Sequence, residues 1–137
     1  MSPKFMLDTN ICIYLIKNQP PGVRHRFEDY YVGDIVISAI TLAELEYGIA
    51  CSPLETQATN QLALEGLLED LVVAPFDKLA ASAYGPVRVA NKARQRDALD
   101  KLIASHAIAM NVTLVTNNEA DFAHYENLVL ENWVNCH

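Results

Sequence analysis

The sequence predicts an α/β protein with a central, mostly parallel sheet of four to five strands and helices on both of its faces. Short apolar segments alternate along the chain with longer segments whose apolar residues recur at helical spacing. Hydrophobic residues make up 51% of the 137 residues, enough to form the core of one domain of ordinary size. We therefore expect residues 1–137 to form a single domain.

The predicted strands are short and apolar, as expected for strands buried on both faces. They are residues 4–8, 34–38, 71–74, 112–116 and 128–130. Segment 112–116 is the clearest β-branched run, and segment 128–130 is the least distinct.

The predicted helices are residues 10–17, 23–30, 41–51, 53–70, 78–95, 99–110 and 119–122. Asn10 and Asp77 are residue types favoured as N-caps, and Asn111 is a residue type that ends helices. Thr41 and Glu44 have the spacing of a capping box. The pair Gly85-Pro86 is expected to kink or split helix 78–95.

The net charge of −7 argues against a general nucleic-acid binder, because phosphate contacts require positive charge. The basic residues are nevertheless clustered. Five of the ten lie between residues 88 and 101, and they are Arg88, Lys92, Arg94, Arg96 and Lys101. This stretch forms either a local basic face that contacts a polyanion or an ordinary solvated helix face.

The cysteines and the N-terminus favour a cytoplasmic protein. Cys12, Cys51 and Cys136 are too few and too widely spaced for a disulfide framework or a zinc site, so we expect buried free thiols. Asp8 interrupts the position at which a signal peptide needs an apolar stretch. No apolar run approaches the roughly 20 residues that cross a bilayer, so no membrane association is expected.

Acidic and amide side chains follow the predicted strands. Asp8 closes the first strand, Glu44 and Asp100 lie in first turns of helices, and Asn118 and Asp121 follow the fourth strand. In a parallel sheet these positions converge at the carboxyl edge. Several carboxylates in one pocket repel one another unless a hard divalent cation such as Mg²⁺ or Mn²⁺ neutralises them.

Each of these acids also has a purely structural interpretation. Asp8 could cap the following helix, Glu44 could complete the capping box, and Asp100 could be a helix N-terminal acid favoured by the macrodipole. His106 lies among apolar residues, which favours packing over a role as a base. The sequence contains no nucleophile elbow, so a serine hydrolase is not supported. A haloacid-dehalogenase-type phosphatase fits poorly because Asn10 stands where a second Asp is needed, and a receiver domain fits poorly because Met6-Leu7 occupies the place of its acidic pair.

Taken together, the motifs resemble the PIN-domain ribonucleases of the VapC toxin family along essentially the whole chain. The motifs are FMLDTN (5–10), ISAITLAELEYG (37–48), DKLIASHA (100–107), LVTNN (114–118) and LENW (130–133). The resemblance implies a PIN-like three-layer α/β/α fold and the toxin of a type II toxin–antitoxin module. It also implies an Mg²⁺- or Mn²⁺-dependent endoribonuclease of structured RNA that inhibits translation. A VapB-type antitoxin, a homodimer and a higher-order complex with the antitoxin are implied as well.

By position, the resemblance assigns the central acids to Asp8, Glu44 and Asp100, which would hold the metal. The fourth catalytic position, often acidic in the family, matches Asn118. Asn10 and Thr116 match polar residues that line the pocket, and the neighbouring Asp121 is expected to contribute through water.

The substrate implied by the resemblance is a tRNA, with the anticodon stem-loop of the initiator tRNA as the most specific expectation. The residues expected to bind RNA are Arg88, Lys92, Arg94 and Arg96. Two departures from the family pattern, Asn118 in place of an acid and a loop before Asp100 without Gly or Pro, leave an alternative open. The chain could be a catalytically inactive PIN-fold module that binds RNA or protein.

Overall fold

The computed structural model describes residues 2–134 and contains one parallel sheet with strand order β3-β2-β1-β4-β5. The strands are β1 (Phe5–Leu7), β2 (Ile35–Ser38), β3 (Val72–Ala74), β4 (Thr113–Val115) and β5 (Leu130–Glu131). The central β1 aligns Phe5 with Ile35 of β2 and with Thr113 of β4. The predicted fold class is confirmed, and every strand pair in the sheet is parallel.

Helices cover both faces of the sheet. They are α1 (Thr9–Lys17), α2 (Pro21–Phe27), α3 (Ala39–Cys51), α4 (Leu54–Leu68), α5 (Lys78–Ala90), α6 (Ala98–Met110) and α7 (Glu119–Phe122). Alternate residues of a strand point to opposite faces. Phe5 and Leu7 therefore join a core with α1, α2 and α4, while Met6 joins a second core with α6 and α7. This gives the three-layer arrangement.

Two predicted helix starts are wrong, and both helices begin earlier. Asp8, not Asn10, is the N-cap of α1, and its Oδ1 accepts a hydrogen bond from the Ile11 amide at 3.0 Å. Ser38 is the N-cap of α3, so Thr41 and Glu44 do not form a capping box. The cap of α1 is the residue directly after β1, and the cap of α3 is the last residue of β2, so neither strand is separated from its helix by a loop.

Helix α5 ends at Ala90 rather than at residue 95, and it continues through Pro86 without being split. Proline removes the hydrogen bond to the carbonyl four residues earlier. That carbonyl belongs to the exposed Ser82, where water can replace the missing donor. The other predicted element boundaries agree with the structure within three residues.

The short edge strand β5 is held by side chains. The Trp133 indole donates to Glu131 Oε1 at 2.8 Å, and the Arg26 guanidinium also bonds to Glu131. Arg26 lies over the Trp133 ring, 5.5 Å from its centroid. These contacts hold β5 and Trp133 against α2.

Within residues 2–134, no helix is long and apolar enough to cross a membrane. Cys12 is buried, as predicted, but Cys51 is exposed at the end of α3, so the expectation of a buried thiol is wrong there. Cys136 lies outside the described residues.

Candidate active site

A cavity of about 140 Å³ lies at the carboxyl edge of the sheet, between the first turns of several helices. The side chains that line it are Asp8, Thr9, Asn10, Glu44, Asp100, Ile103, Asn118 and Phe122. All four positions predicted to be catalytic therefore reach the same cavity. The parallel sheet brings them together because each follows a strand end or begins a helix.

Asp8 is only 4% exposed, and it both caps α1 and faces this cavity. Burial raises the pKa of the Asp8 carboxyl, and the charge of Glu44 raises it further. Hydrogen bonds from the Thr116 side chain and from the Ile11 and Asn10 amides act in the opposite direction. The structural and the functional interpretations of Asp8 are thus compatible.

Glu44 projects from the second turn of α3 toward α1. Its Oε1 accepts a hydrogen bond from the Thr9 hydroxyl at 2.7 Å. Thr9 was not singled out from the sequence, although it directly follows Asp8 in the motif that carries the resemblance. This bond orients Glu44 toward the acidic cavity rather than toward its own helix terminus.

Among the acids that line the cavity, Asp100 has the largest shift in pKa. Burial, followed by the charges of Asp121, Asp97, Glu44 and Asp8, raises its pKa to about 6. Carboxylates from separate elements are therefore close enough to disfavour one another's ionisation. A bound cation would reverse this repulsion.

The donor chemistry fits a hard divalent cation. The cavity offers carboxylate, hydroxyl and amide oxygens, the ligands that Mg²⁺ and Mn²⁺ prefer. Across residues 2–134, no three His, Cys, Asp or Glu side chains already stand in position to coordinate one ion together. In this conformation the Glu44 carboxylate instead accepts a hydrogen bond from the Thr9 hydroxyl.

The remaining predicted pocket residues occupy different places. Asn10 and the exposed Asn118 line the cavity. Thr116 is fully buried behind it, where its hydroxyl bonds to Asp8 and accepts from the Asn118 amide at 2.9 Å. Asp121 is exposed and does not line the cavity, so its predicted pocket-lining position is corrected to one beside Asp100, whose pKa it raises.

The basic stretch lies next to the acidic site. Arg88, Lys92, Arg94 and Arg96 are exposed. A depression of about 160 Å³ is lined by Tyr84, Arg88, Arg94, Arg96, Asp97, Ala98 and Lys101. Arg96 also borders an open cleft that contains Glu44 and Asp100. A continuous surface thus connects basic and acidic side chains.

Lys101 does not belong to the exposed basic face. It is 7% exposed, and its Nζ lies 2.7 Å from Asp97 Oδ1 and donates to the Arg94 carbonyl at 3.1 Å. The Tyr125 hydroxyl donates to Asp97 Oδ2 at 2.7 Å. Burial favours a higher pKa for Asp97, but these partners hold it below its usual value. No local pattern in the sequence indicates this buried cluster.

Comparison with known proteins agrees with this arrangement. The PIN domain family model matches residues 5–128. The tRNA(fMet)-specific endonuclease VapC of Shigella flexneri is 39% identical over 132 residues, covering 95% of this chain and 98% of that protein. Ribonuclease VapC2 of Rickettsia felis is 42% identical over 134 residues, covering 94% and 97% of the two chains.

Solved structures give the same result. A chain of the DNA-bound VapBC complex from Salmonella typhimurium superposes with a TM-score of 0.87 at 38% identity, covering 96% of this chain and 98% of that one. The chain therefore belongs to the PIN-domain family and, within it, to the VapC ribonucleases.

Proposed function

We propose that this chain is the toxin of a VapBC-type module and that it hydrolyses RNA at the cavity formed by Asp8, Glu44 and Asp100. The observation that carries the proposal is the convergence of these three carboxylates, from separate elements, on one cavity. The charge of Glu44 raises the pKa of both Asp8 and Asp100, which supports a site built for a cation. Like other PIN-domain ribonucleases, the enzyme depends on a divalent metal, and we propose Mg²⁺ or Mn²⁺.

Asp8, Asp100 and Glu44 would hold the ion, which supplies positive charge that activates water and offsets the charge of the phosphodiester. Thr116 keeps the Asp8 carboxylate oriented through its hydroxyl, and Thr9 does the same for Glu44. The exposed Asn118 amide is free to orient the attacking water. Hydrolysis adds that water at phosphorus and releases one RNA hydroxyl.

Asn118 supplies no charge where the family often has an acid. Its amide oxygen can still accept a hydrogen bond and its nitrogen can donate one. Asp121 lies near enough to Asp100 to raise its pKa, so the negative charge of the region is partly restored from a different residue. This arrangement favours an active enzyme over the inactive RNA- or protein-binding module.

For the substrate we propose tRNA, and specifically the anticodon stem-loop of the initiator tRNA. The support is the likeness to relatives named tRNA(fMet)-specific endonucleases at 38–39% identity. Arg88, Lys92, Arg94 and Arg96 would contact the RNA phosphates beside the metal site. Because the proposed substrate is a tRNA, we also propose that the enzyme acts in the cytoplasm.

The proposed partner is a VapB-type antitoxin, because the matching structures are VapBC complexes. An apolar groove of about 280 Å³ between α1, α3 and α4 supports this proposal. Ile13, Ile16, Leu45 and Ile49 line the groove, and Glu44 lies within its wall. An apolar partner segment in the groove would therefore end beside the active site. We also propose a homodimer, as the family resemblance implies.

The decisive experiment compares the purified chain with Asp8→Asn and Asp100→Asn variants on total tRNA, with Mg²⁺ or with EDTA. We expect discrete fragments from the wild type with Mg²⁺ only, and activity reduced by several orders of magnitude in both variants. Mapping the fragment ends identifies the substrate. Equal cleavage by the variants would indicate a contaminant and contradict the roles assigned to these acids.

A Mn²⁺ titration of the same three proteins separates the remaining explanations. Tight Mn²⁺ binding by the wild type alone, without cleavage of tRNA, would contradict the proposed substrate but support the proposed metal site. Absence of binding by the wild type would favour the inactive module.

A further inference from the structure

His106 is a buried polar residue to which the proposed mechanism gives no role. It lies on α6 and is 1% exposed. Its Nδ1 is 2.8 Å from the hydroxyl of Ser38, which ends β2 and caps α3. The Phe76 ring packs edge-on against the imidazole, with centroids 5.2 Å apart. The bond therefore joins the helix of Asp100 to the start of the helix of Glu44.

The hydrogen-bond partners define the direction of this bond. Ser38 Oγ already accepts from the Ile40 amide at 3.0 Å, so its own hydrogen is available to donate to Nδ1 of His106. A hydrogen bond to the Pro75 backbone uses the other side of the ring. Since the Pro75 backbone has no N–H, the ring is the donor there. The neutral Nε2–H tautomer satisfies both contacts and links α6, α3 and the end of β3.

The position of this link matters for the active site. Asp100 lies six residues before His106 on α6, and Glu44 lies six residues after Ser38 on α3. At a rise of about 1.5 Å per residue, each acid is about 9 Å along its helix from the bond. A slip between the two helices at Ser38 and His106 would separate the two carboxylates at the cavity.

We propose that His106 is a positioning residue, which through Ser38 holds α3 and α6 in the register that lets Glu44 and Asp100 share one cation. The inference rests on the proposed metal-dependent function. Outer partners that orient metal ligands commonly change metal affinity by about 10–100-fold when they are removed. We expect an effect of that size here, although His106 does not reach the cavity.

The test compares two substitutions at one site. In His106→Asn the side-chain oxygen occupies the place of Nδ1 and can still accept from Ser38. In His106→Phe the ring packs on Phe76 but cannot accept. Ser105→Ala is the matched control, because the buried Ser105 hydroxyl only donates to the Lys101 carbonyl within α6.

Mn²⁺ affinity is measured by calorimetry without RNA, and kcat and KM are measured with RNA. We expect His106→Phe to weaken Mn²⁺ binding at least tenfold and to lower kcat with little change in KM. His106→Asn should stay within about threefold of the wild type, and Ser105→Ala should be unchanged. Equal losses in the Asn and Phe variants, or none in the Phe variant, would overturn the proposal.

Ser38→Ala removes the same bond from the other side, so its result does not depend on the stability of the Phe variant. The Ser38→Ala/His106→Phe double variant tests whether the two residues act as one unit. We expect the double variant to lose no more Mn²⁺ affinity than the weaker-binding single variant. Normal affinity in Ser38→Ala would contradict the proposal. Wild-type protein that binds no Mn²⁺ would instead contradict the metal site itself.

Discussion

Asp8 shows how one carboxylate serves structure and chemistry together. Its Oδ1 caps α1, while the same carboxyl faces the acidic cavity. Asparagine is as good an N-cap as aspartate, so Asp8→Asn removes the charge and keeps the cap. Loss of activity in this variant can therefore be assigned to the charge rather than to a damaged helix.

The ionisation of Asp100 affects the stability of the metal-free protein. Its pKa is raised from 3.8 to about 6 on folding, chiefly by burial and then by neighbouring acids. The unfolded chain loses this proton more readily, so the folded state is penalised as pH rises through about 6. Below the unfolded pKa both states are protonated and the penalty disappears. A two-unit shift corresponds to about 3 kcal/mol, which solvent screening of this partly exposed group reduces to about 1–2 kcal/mol.

We therefore expect Asp100→Asn to be more stable than the wild type by about 1–2 kcal/mol above pH 7 in EDTA. Urea denaturation from pH 4 to pH 8 measures the difference. It should shrink toward zero near pH 4, and comparison at each pH cancels the contributions of the histidines. Saturating Mn²⁺ should reverse the order. A difference that does not change with pH would mean that Asp100 is not perturbed.

At the scale of elements, the sequence was informative wherever a local pattern decides the structure. Strands and helices appear where they were predicted, although only β1 and β2 are buried along their whole length, and Asn111 ends α6 in a left-handed conformation. The wrong helix starts have a common cause. The true caps lie where the strands end, Asp8 directly after β1 and Ser38 as the last residue of β2, and residue type alone does not show at which polar residue the backbone turns.

The loop before α6 depends on contacts that no local pattern contains. Asp97 and Lys101 look like ordinary charged surface residues, yet both are buried and paired. The partner Tyr125 comes from a distant part of the chain. Because Asp97 is the N-cap residue of α6 and Asp100 lies in the first turn of that helix, this cluster also sets the position of a proposed metal ligand.

Tyr125→Phe tests the contribution of this cluster. The substitution leaves Asp97 Oδ2 with only Arg94, whose Nε is 3.6 Å away. A hydrogen bond to a buried carboxylate contributes about 1.5–3 kcal/mol, so we expect the free energy of unfolding to fall by about that amount. Tyr14→Phe is the control, since the Tyr14 hydroxyl only accepts an exposed bond from Asn117. If both variants lost a similar amount of unfolding free energy, the buried cluster would contribute no more to stability than an exposed hydrogen bond does.

At the scale of the molecule, the distribution of charge matters more for RNA binding than the net charge does. Although the net charge is −7, acidic side chains meet at one cavity. An exposed basic strip, formed by Arg88, Lys92, Arg94 and Arg96, lies beside that cavity. The sequence predicted both groups, and the parallel sheet explains why acids distant in sequence meet. Their detailed contacts, such as Thr9 with Glu44, depend on how α1 packs on α3 and could not be read from composition or spacing.

The basic strip can be tested through the salt dependence of RNA binding. Each phosphate contact contributes a fraction of one released counterion to the slope of log affinity against log salt. Arg96 is well suited to substitution, because its φ of +66° lies in the left-handed region that favours glycine. Arg96→Gly therefore removes a charge without straining the backbone.

We expect Arg96→Gly and Arg88→Ala each to lower RNA affinity and to reduce the salt slope by about 0.7–0.9, with additive effects in the double variant. Lys78→Ala is the control, because this exposed lysine starts the same helix as Arg88 but does not line the basic depression. Binding is measured by fluorescence anisotropy between 50 and 200 mM salt, in EDTA, so that no cleavage occurs. A slope unchanged in the double variant would mean that the strip is only a solvated face, and the RNA would then have to enter from the other side of the acidic cavity.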